Sequence, residues 1–453
     1  MSYNLSVIGL GKLGACTAAC FALRGFDVIG IDVNPESVKA INAGHAPVWE
    51  PMLSETIQKT KSKLTATLDF AEAIKKTDVS FLIVPTPSQT DGHFSTRYLR
   101  EALTKLASLL SESSKKYHLF VITSTVSPKS IEKDLIPLIE KYSGRKLNEG
   151  FGVAYNPEFI ALGSVIRDFL NPDMILIGES APSVGDTLEF IYKKTCDNEP
   201  KISRMSLVSA EIAKLSLNAY ITMKISFVNS LSNICQAISN ANIDNVTEAL
   251  GADRRIAPYY LKGGVGYGGP CFPRDNKAFV AFAAEQGVDA KLARAVEKIN
   301  DEQIYLLYHL ILSHMNSQNN TLAILGVAYK ANTPVIENSP AVKLIEFFLK
   351  HPEYNVIVYD ALATNNIKDC FKEQIQYASS IEECFLKANV VLIMTEDPAF
   401  KEIDQRYFSN KSIVIIDCWR VLQAHRFDHQ KINYIGLGRW NSNFRSMEHD
   451  CIS

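Results

Sequence analysis

Short apolar runs alternate along the chain with longer segments of helical pattern. Runs at 5–8 and 27–31 flank a stretch of small apolar residues at 15–23, which predicts a strand, a helix and a second strand. Similar runs, typical of strands buried in a parallel sheet, lie at 78–84, 118–123 and 151–158. The first part of the chain is therefore predicted to be a doubly wound α/β domain.

The pattern changes to one long helix between Ser206 and about Asn240. Apolar residues recur there at helical spacing, at Ile212, Leu215, Ala219, Met223 and Phe227. A helix this long and this apolar usually lies between domains or subunits.

After this helix the α/β alternation resumes. It predicts a helix at 340–350 and strands at 321–326, 354–360, 389–394 and 412–417. The predicted fold class is α/β, with two Rossmann-like doubly wound domains joined by a long central helix. The expected domains are 1–200, 201–310 and 311–453.

Composition narrows the possible classes of protein. A chain of 453 residues with 47% hydrophobic and 21% charged residues is typical of a globular enzyme of two or three domains. A net charge of -2 gives no general attraction to nucleic acid or to an anionic membrane. Nine cysteines without C-x-x-C spacing favour neither a disulfide framework nor a zinc site, and no apolar run is long enough to span a membrane. We expect a cytoplasmic protein.

The first strand leads into a glycine pattern with the requirements of a dinucleotide fingerprint. Gly9 permits the tight turn, Gly11 lets a diphosphate approach, and Gly14 lets the helix and strand pack closely. Asp32 ends the second strand, where its carboxylate can accept hydrogen bonds from a ribose diol. An additional phosphate would be repelled there, so the pattern favours NAD over NADP.

Polar residues follow the next three predicted strands. Pro85 and Thr86 follow one, Thr125 the next, and Glu158 the third. Ligands of open α/β sheets bind at such carboxyl ends, although each hydroxyl could equally close a turn. Glu158 could be a catalytic base or a solvated loop charge.

Lys214 and Asn218 are four residues apart on the long helix, hence on one face and one turn from each other. Periodicity alone favours a surface lysine and a helix-interior asparagine.

A glycine-rich run at 263–269 directly precedes Pro270 and Cys271. Glycine permits unusual backbone angles and close approaches, and proline on both sides of the thiol stiffens the chain. A packing cysteine rarely needs such surroundings. With Asp275 four positions on, the segment indicates a nucleophilic cysteine.

These residues also carry a family resemblance that covers nearly the whole chain. The segment Gly266–Asp275 resembles the pattern G-[FY]-G-G-x-C-[FL]-x-[KR]-D, and Ala210–Ala219 resembles A-E-x-x-K-x-x-x-N-A. Pro85-Thr-Pro, Ser124-Thr-Val, Asn156-Pro-Glu and Arg255-Ile match as well. The chain is similar to nucleotide-sugar dehydrogenases of the UDP-glucose/GDP-mannose dehydrogenase family.

The resemblance implies that two NAD molecules oxidise the C6 alcohol of a nucleotide-linked hexose to a carboxylate. Cys271 would bond covalently to the substrate, forming a thiohemiacetal and then a thioester. Lys214 and Asn218 would stabilise negative charge on the substrate oxygen, although Lys214 could instead act as a base. Asp275, Glu158 and Thr125 are candidates to orient or activate water.

Binding residues are carried over by the same matching. The cofactor would contact the fingerprint residues together with Leu13, Pro85, Thr86, Thr125 and Arg274. The nucleotide sugar would contact Lys214 and Asn218 together with Glu158, Phe159, Tyr259, Tyr260, Gly268, Phe272, Lys330 and Arg439. Arg255 would reach the substrate of a neighbouring subunit, because the long helix is expected to build a homodimer or a dimer-based oligomer.

Two departures from the family pattern leave the sugar open. Leu162 stands where many glucose-specific members carry an acid, and Glu337 stands where an arginine near the cofactor diphosphate is expected. UDP-glucose is the first expectation, followed by UDP-N-acetylhexosamines and GDP-mannose. A simple β-hydroxyacid dehydrogenase would need neither the cysteine segment nor a second α/β sheet, and a non-catalytic nucleotide-sugar sensor would not need the full set of catalytic residues.

Overall fold

The computed structural model describes residues 3–316, 318, 320–407, 412–423 and 432–440. The chain divides into two compact units after Ser216. We call residues 1–216 the N-terminal unit and residues 217–453 the C-terminal unit. The predicted division into three domains remains a prediction.

The N-terminal unit alternates strands and helices. Its strands are β1 Leu5–Ile8, β2 Val28–Ile31, β3 Leu64–Thr67, β4 Val79–Leu82, β5 His118–Ile122, β6 Phe151–Tyr155, β7 Met174–Glu179 and β8 Lys201–Ser206. Its helices are α1 Lys12–Leu23, α2 Pro35–Ala43, α3 Leu53–Lys59, α4 Phe70–Lys76, α5 Arg97–Glu112, α6 Ile136–Ser143, α7 Val165–Leu170 and α8 Pro182–Thr195, with a π-helical segment Ile131–Leu135 before α6.

These strands form one eight-stranded sheet in the order β3-β2-β1-β4-β5-β6-β7-β8. The first six strands are parallel, and their order is that of a doubly wound dinucleotide-binding sheet. β7 runs antiparallel to β6, and β8 runs parallel to β7. Sequence patterning missed β3 and β8, which are short or polar at alternate positions. It also missed β7, although residues 174–177 are apolar.

The central strands are buried on both faces. On β5, Leu119 and Val121 belong to the core that contains α1, α7 and α8, whereas Phe120 and Ile122 belong to the core that contains α5 and α6. Because successive side chains of a strand point to opposite faces, the sheet lies between two helical layers.

The long central helix is α9, Leu207–Ala237, which begins in the N-terminal unit and continues into the C-terminal unit. The helices after it are α10 Ile243–Ala252, α11 Phe272–Glu285, α12 Lys291–Leu312, α13 Pro340–Phe348, α14 Thr364–Phe371 and α15 Ile381–Lys387. In the part of the chain that the structure describes, no helix has the length and apolarity needed to cross a membrane.

The C-terminal unit has a six-stranded parallel sheet in the order β11-β10-β9-β12-β13-β14. Its strands are β9 Thr321–Leu325, β10 Asn355–Tyr359, β11 Gln376–Tyr377, β12 Val390–Ile393, β13 Ile413–Asp417 and β14 Ile432–Gly436. Short 3₁₀ turns lie at Lys372–Gln374, Pro398–Glu402 and Gln405–Tyr407. This order repeats that of β1 to β6, so the predicted fold class, two doubly wound α/β domains joined by a long helix, is confirmed.

In the turn between β1 and α1, two of the three glycines have no room for a side chain. Gly9 has φ +97°, and a Cβ atom there would lie 2.3 Å from the carbonyl oxygen of Ile83. A Cβ atom on Gly14 would lie 1.9 Å from the carbonyl oxygen of Gly9. By contrast, a Cβ atom on Gly11 would meet no atom within 4 Å. The fold requires Gly9 and Gly14, whereas Gly11 leaves open space.

We expect Gly14→Ala to destabilise the N-terminal unit and Gly11→Ala to leave its stability unchanged. The added methyl group at position 14 must push the helix off the turn, at a cost of about 3 kcal/mol. Thermal unfolding of the two purified variants measures the difference. Equal melting temperatures for the two variants would contradict the packing described here.

Candidate active site

A cavity of about 550 Å³ lies at the carboxyl ends of β1, β2 and β4. The residues expected to bind the cofactor that line it are Gly9, Gly11, Leu13, Gly14, Asp32 and Pro85. Lys12, Tyr98, Glu101 and Lys105 line it as well. The last three come from α5, and sequence reasoning missed them because only tertiary packing brings that helix to the glycine turn.

The Asp32 carboxylate is held in place at this cavity. Its Oδ2 accepts a hydrogen bond from the backbone N of Leu10 at 2.6 Å, and its Oδ1 accepts one from the backbone N of Asn34 at 2.8 Å. A fixed carboxylate at the end of the second strand suits a ribose diol, and the open space at Gly11 suits a diphosphate. The residues therefore fit NAD.

Thr86 and Thr125 lie in the adjacent loops that follow β4 and β5. The Thr86 hydroxyl donates to the carbonyl oxygen of Thr125 at 2.7 Å, so it joins the two loops. The two loops are 39 positions apart in sequence, so the bond does not close a local turn, and cofactor binding by Thr86 stays a prediction. Neither threonine is among the residues that line the cavity.

Glu158 follows β6 and is partly buried. Its Oε1 lies 3.2 Å from the hydroxyl of Tyr192, which lies 2.5 Å from Asn156 Oδ1. Burial raises the pKa of Glu158 to about 7, and the nearby Lys214 ammonium opposes this rise. Glu158 is therefore not a solvated loop charge. Nothing in the local sequence indicated that Tyr192, a residue of α8, would contact Glu158.

Lys214 is 7% exposed, so it is not a surface lysine. Its Nζ donates to the backbone oxygen of Glu158 at 2.6 Å and lies 4.6 Å from the ring centre of Phe159. One turn earlier on α9, Glu211 accepts hydrogen bonds from the backbone N atoms of Lys129 and Ile131, at 2.7 and 3.0 Å. These contacts fix the first turns of α9, and with them the position of Lys214.

In the C-terminal unit, Asn218 and Asp275 form a buried pair. The Asn218 amide donates to Asp275 Oδ2 at 2.6 Å, and Asp275 is 1% exposed. Arg274 Nε lies 3.4 Å from the other carboxylate oxygen, Oδ1. Periodicity alone did not indicate the bond between Asn218 and Asp275, because the two residues are 57 positions apart.

Cys271 is the N-cap residue of α11 and is exposed. The backbone N of Asp275 donates to its carbonyl oxygen at 2.8 Å, which closes the first helical turn. The N-terminus of a helix favours negative charge, as a thiolate would carry. Other thiols have the opposite environment, because burial raises the pKa of Cys384 to about 12 and that of Cys196 to about 11.

The glycines before Cys271 pack closely against the segment between β9 and α13. A Cβ atom on Gly268 would lie 2.2 Å from the carbonyl oxygen of Asn338. Gly269 has φ +84°, and a Cβ atom there would lie 2.6 Å from the ring of Tyr329. The run therefore lets the cysteine segment approach the loops after β9.

The expected substrate-binding residues that lie in the C-terminal unit occupy different environments. The ring of Tyr260 lies 6.3 Å from that of Phe272, next to Cys271, and Lys330 Nζ lies 5.8 Å from the ring centre of Tyr329. Tyr259 is 73% exposed. The Arg255 side chain is 88% exposed and pairs with Asp253 at 2.6 Å.

Arg439 lies beside a second arginine that sequence reasoning missed. Its guanidinium is 3.4 Å from Asp244, and the same carboxylate is bound by the buried Arg420 at 2.9 Å. Arg420 also donates to the carbonyl oxygen of Gly263 at 2.8 Å, at the start of the glycine run. No motif indicated this residue, because its partners lie far away in sequence.

The structure shows the surroundings of Leu162 and Glu337, the two departures from the family pattern. Leu162 packs against the core of the N-terminal unit, where an acid would be expected to face a ligand. Glu337 is exposed, and its backbone oxygen accepts a hydrogen bond from the N of Gly269 at 3.1 Å.

We expect Glu158→Gln to become more stable relative to the wild type as pH rises. The wild-type carboxyl titrates near 4.5 when unfolded and at about 7 when folded, so the folded state loses stability between these pH values. Glutamine stays neutral and avoids this loss, which amounts to about 3 kcal/mol. Denaturant unfolding at pH 5 and pH 8 measures the change, with Glu149→Gln, an exposed site, as control. A difference between wild type and Glu158→Gln that does not vary with pH would contradict the burial of a titrating carboxyl.

Comparison with known proteins agrees with this geometry. Residues 3–196, 208–302 and 323–424 match the NAD binding, central and UDP binding domains of the UDP-glucose/GDP-mannose dehydrogenase family. The chain is 34% identical to the UDP-glucose 6-dehydrogenase AglM of Haloferax volcanii, over 92% of this chain and 97% of that protein. It is 30% identical to the GDP-mannose 6-dehydrogenase of Pseudomonas syringae pv. tomato, over 91% and 95%.

A solved structure is similar over nearly the whole length. The UDP-glucose dehydrogenase of the archaeon Pyrobaculum islandicum superimposes with a TM-score of 0.87 at 28% identity, over 97% of this chain and 98% of that chain. The matches cover both sheets, the long helix and the cysteine segment. The chain therefore belongs to the UDP-glucose/GDP-mannose dehydrogenase family, a family of NAD-dependent nucleotide-sugar 6-dehydrogenases.

Proposed function

We propose that this protein oxidises the C6 alcohol of a UDP-hexose to a carboxylate, with UDP-glucose as substrate and UDP-glucuronate as product. The observation that carries this proposal is the exposed thiol of Cys271 at the start of α11, one turn from the buried pair of Asp275 and Asn218. Similarity to UDP-glucose dehydrogenases of Haloferax volcanii and Pyrobaculum islandicum supports this sugar.

The same oxidation of another nucleotide sugar is the second candidate. The observation that favours it is Leu162, an apolar residue that packs on the core and cannot hydrogen-bond a sugar hydroxyl. The 30% identity to a GDP-mannose 6-dehydrogenase agrees with it. A panel of nucleotide sugars, assayed by NADH production, distinguishes these substrates.

NAD⁺, when bound, accepts one hydride from the substrate in each of two oxidation steps. In the first, C6 loses a hydride and its hydroxyl a proton, which leaves an aldehyde. The Cys271 thiolate then adds to the aldehyde carbon, and the oxygen takes up a proton to give a thiohemiacetal. Loss of the second hydride and of that proton gives a thioester, which water hydrolyses to the carboxylate and the free thiol.

We assign the stabilisation of charge during these steps to Lys214 and Asn218. The substrate oxygen gains negative charge as its proton leaves and again when the thiolate adds. The Lys214 ammonium supplies positive charge, and the Asn218 amide supplies a donor whose orientation Asp275 fixes. Asp275, Glu158 and Thr125 are proposed to orient or activate the water that cleaves the thioester.

We also propose that two copies of the chain associate through α9. Tyr220, Phe227 and Ile234 recur every seven residues, which is two helical turns, and they are 59, 55 and 53% exposed. Exposed apolar residues in one stripe mark a surface that another protein covers. A second copy presents the same stripe, so the contact is self-complementary. A cytoplasmic location is part of the same proposal.

We expect wild-type enzyme to yield two NADH and one uronic acid per nucleotide sugar, and Cys271→Ala to form no acid. NAD binding should stay within about twofold of the wild-type Kd, because the cofactor cavity lies among residues of the N-terminal unit. NADH absorbance, product mass and NAD titration give the three readouts. Unchanged acid formation in Cys271→Ala would refute the covalent mechanism.

One NADH per sugar with a carbonyl product would indicate a simple alcohol dehydrogenase. A bound nucleotide sugar with no NADH would indicate a sensor. Either result would overturn the proposed four-electron oxidation.

We expect Phe227→Glu to convert the wild-type dimer to monomer, because a charge at the centre of an apolar contact remains without a partner. Sedimentation velocity measures the mass of each species. Leu386→Glu is the control, since Leu386 is also exposed, at 60%, but lies on α15. A monomeric wild type, or a Phe227→Glu variant that stays dimeric, would contradict the assignment of this surface.

A further inference from the structure

Tyr192, Asn156 and Glu158 form a short chain of polar groups inside the N-terminal unit. Tyr192 and Asn156 are each 1% exposed. The Tyr192 hydroxyl oxygen lies 2.5 Å from Asn156 Oδ1 and 3.2 Å from Glu158 Oε1. The proposed chemistry assigns no part to Tyr192.

The contacts of Asn156 determine which group donates and which accepts in this series of hydrogen bonds. Its Nδ2 donates to the backbone oxygen of Leu176 at 2.9 Å, so its Oδ1 points to Tyr192 and needs a donor. A phenol carries a single proton, and the shorter contact, to Asn156, uses it. The phenol oxygen is then left to face the Glu158 carboxyl as an acceptor.

Two acceptor oxygens in contact repel each other unless a proton lies between them. A Glu158 carboxylate would have no proton to place there, whereas a protonated carboxyl donates its O–H to the phenol oxygen. From this geometry we propose that Tyr192 is a positioning residue that holds Glu158 in its protonated form.

The inference rests on the proposed function, because it concerns a carboxyl next to Lys214. The Lys214 ammonium donates to the backbone oxygen of Glu158 at 2.6 Å. A neutral Glu158 side chain does not cancel the charge of that ammonium. It can still orient the water of thioester hydrolysis through a hydrogen bond, but it cannot take a proton from that water. The positive charge is therefore retained for the substrate oxygen, where both oxidation steps need it.

The groups that surround Glu158 agree with a neutral carboxyl. Facing it are Tyr192 on α8, the thiols of Cys20 on α1 and Cys196 at the end of α8, and Lys214 on α9. Burial raises the pKa of Glu158 to about 7 and raises the pKa of both thiols above their usual value. Among them, the Lys214 ammonium favours the carboxylate, and so would a Tyr192 hydroxyl that donated to it.

The decisive test measures the titration midpoint of the Glu158 carboxyl, which is the pH at which half of it is protonated. The direction in which this midpoint moves when the hydroxyl of Tyr192 is removed decides between two arrangements. If the phenol accepts from the protonated carboxyl, Tyr192→Phe removes stabilisation of that form and lowers the midpoint. If the phenol instead donates to the carboxylate, its contact lowers the pKa of Glu158, and Tyr192→Phe raises the midpoint. The two arrangements thus predict opposite signs.

Infrared titration of the substrate-free protein in D₂O measures this midpoint directly. The carbonyl stretch of a protonated carboxyl, identified by its loss in Glu158→Gln, should titrate about 0.5 to 1 pH unit lower in Tyr192→Phe than in the wild type. Tyr142→Phe, at a tyrosine that is 38% exposed, should leave the midpoint unchanged. A midpoint that stays the same or rises in Tyr192→Phe would overturn the proposal.

A second variant provides an independent test in case Tyr192→Phe does not fold. Asn156→Leu removes the acceptor that takes the phenol proton, so Tyr192 can donate to the carboxylate and the Glu158 midpoint should again fall. An unchanged midpoint in this variant would also refute the proposed direction of the chain. The titration uses no substrate, so an enzyme that oxidises no nucleotide sugar would refute the proposed function and leave this result standing.

Discussion

The burial of charged groups is the constraint on which the candidate site depends. Lys214, Glu211 and Asp275 are 7, 0 and 1% exposed. Each is held by a backbone group or by an amide, and a buried charge without such a contact would cost several kcal/mol. These contacts limit each side chain to one position, so the groups proposed to act on the substrate are oriented by the fold itself.

The two sheets share one strand order, but the turns that follow their first strands differ in sequence. The turn after β9 repeats the turn after β1, since Gly326 has φ +85° and Asp360 binds the backbone N of Val327 as Asp32 binds that of Leu10. Yet Ala328, with a methyl side chain, stands at the position that corresponds to Gly11. The C-terminal turn therefore keeps the geometry of the fingerprint without its second glycine.

Asp360 also differs from Asp32 in how many of its acceptor sites are occupied. Four backbone N–H groups donate to its two oxygens, those of Val327, Ala328, Leu362 and Ala363. Asp32 receives two, from Leu10 and Asn34, and keeps lone pairs for a ribose diol. This unit matches a UDP binding domain, whereas the N-terminal unit matches an NAD binding domain.

The sequence by itself determined the α/β alternation, the fingerprint of Gly9, Gly11 and Gly14, and the unusual setting of Cys271. Each of these is a local property, because hydrophobic period, steric room at glycine and proline stiffness act within a few residues. Even so, the local pattern did not show that the glycines before Cys271 pack closely on Asn338 and Tyr329.

Tertiary structure alone decided which polar groups meet. The pattern on α9 favoured a surface lysine at Lys214, but β6 ends beside that helix and removes the residue from water. Tyr192 and Arg420 gave no signal, because a hydrogen bond between residues far apart in sequence leaves no periodicity to detect. Local sequence sets which elements form, whereas desolvation and pairing of charge depend on neighbours that only the folded chain supplies.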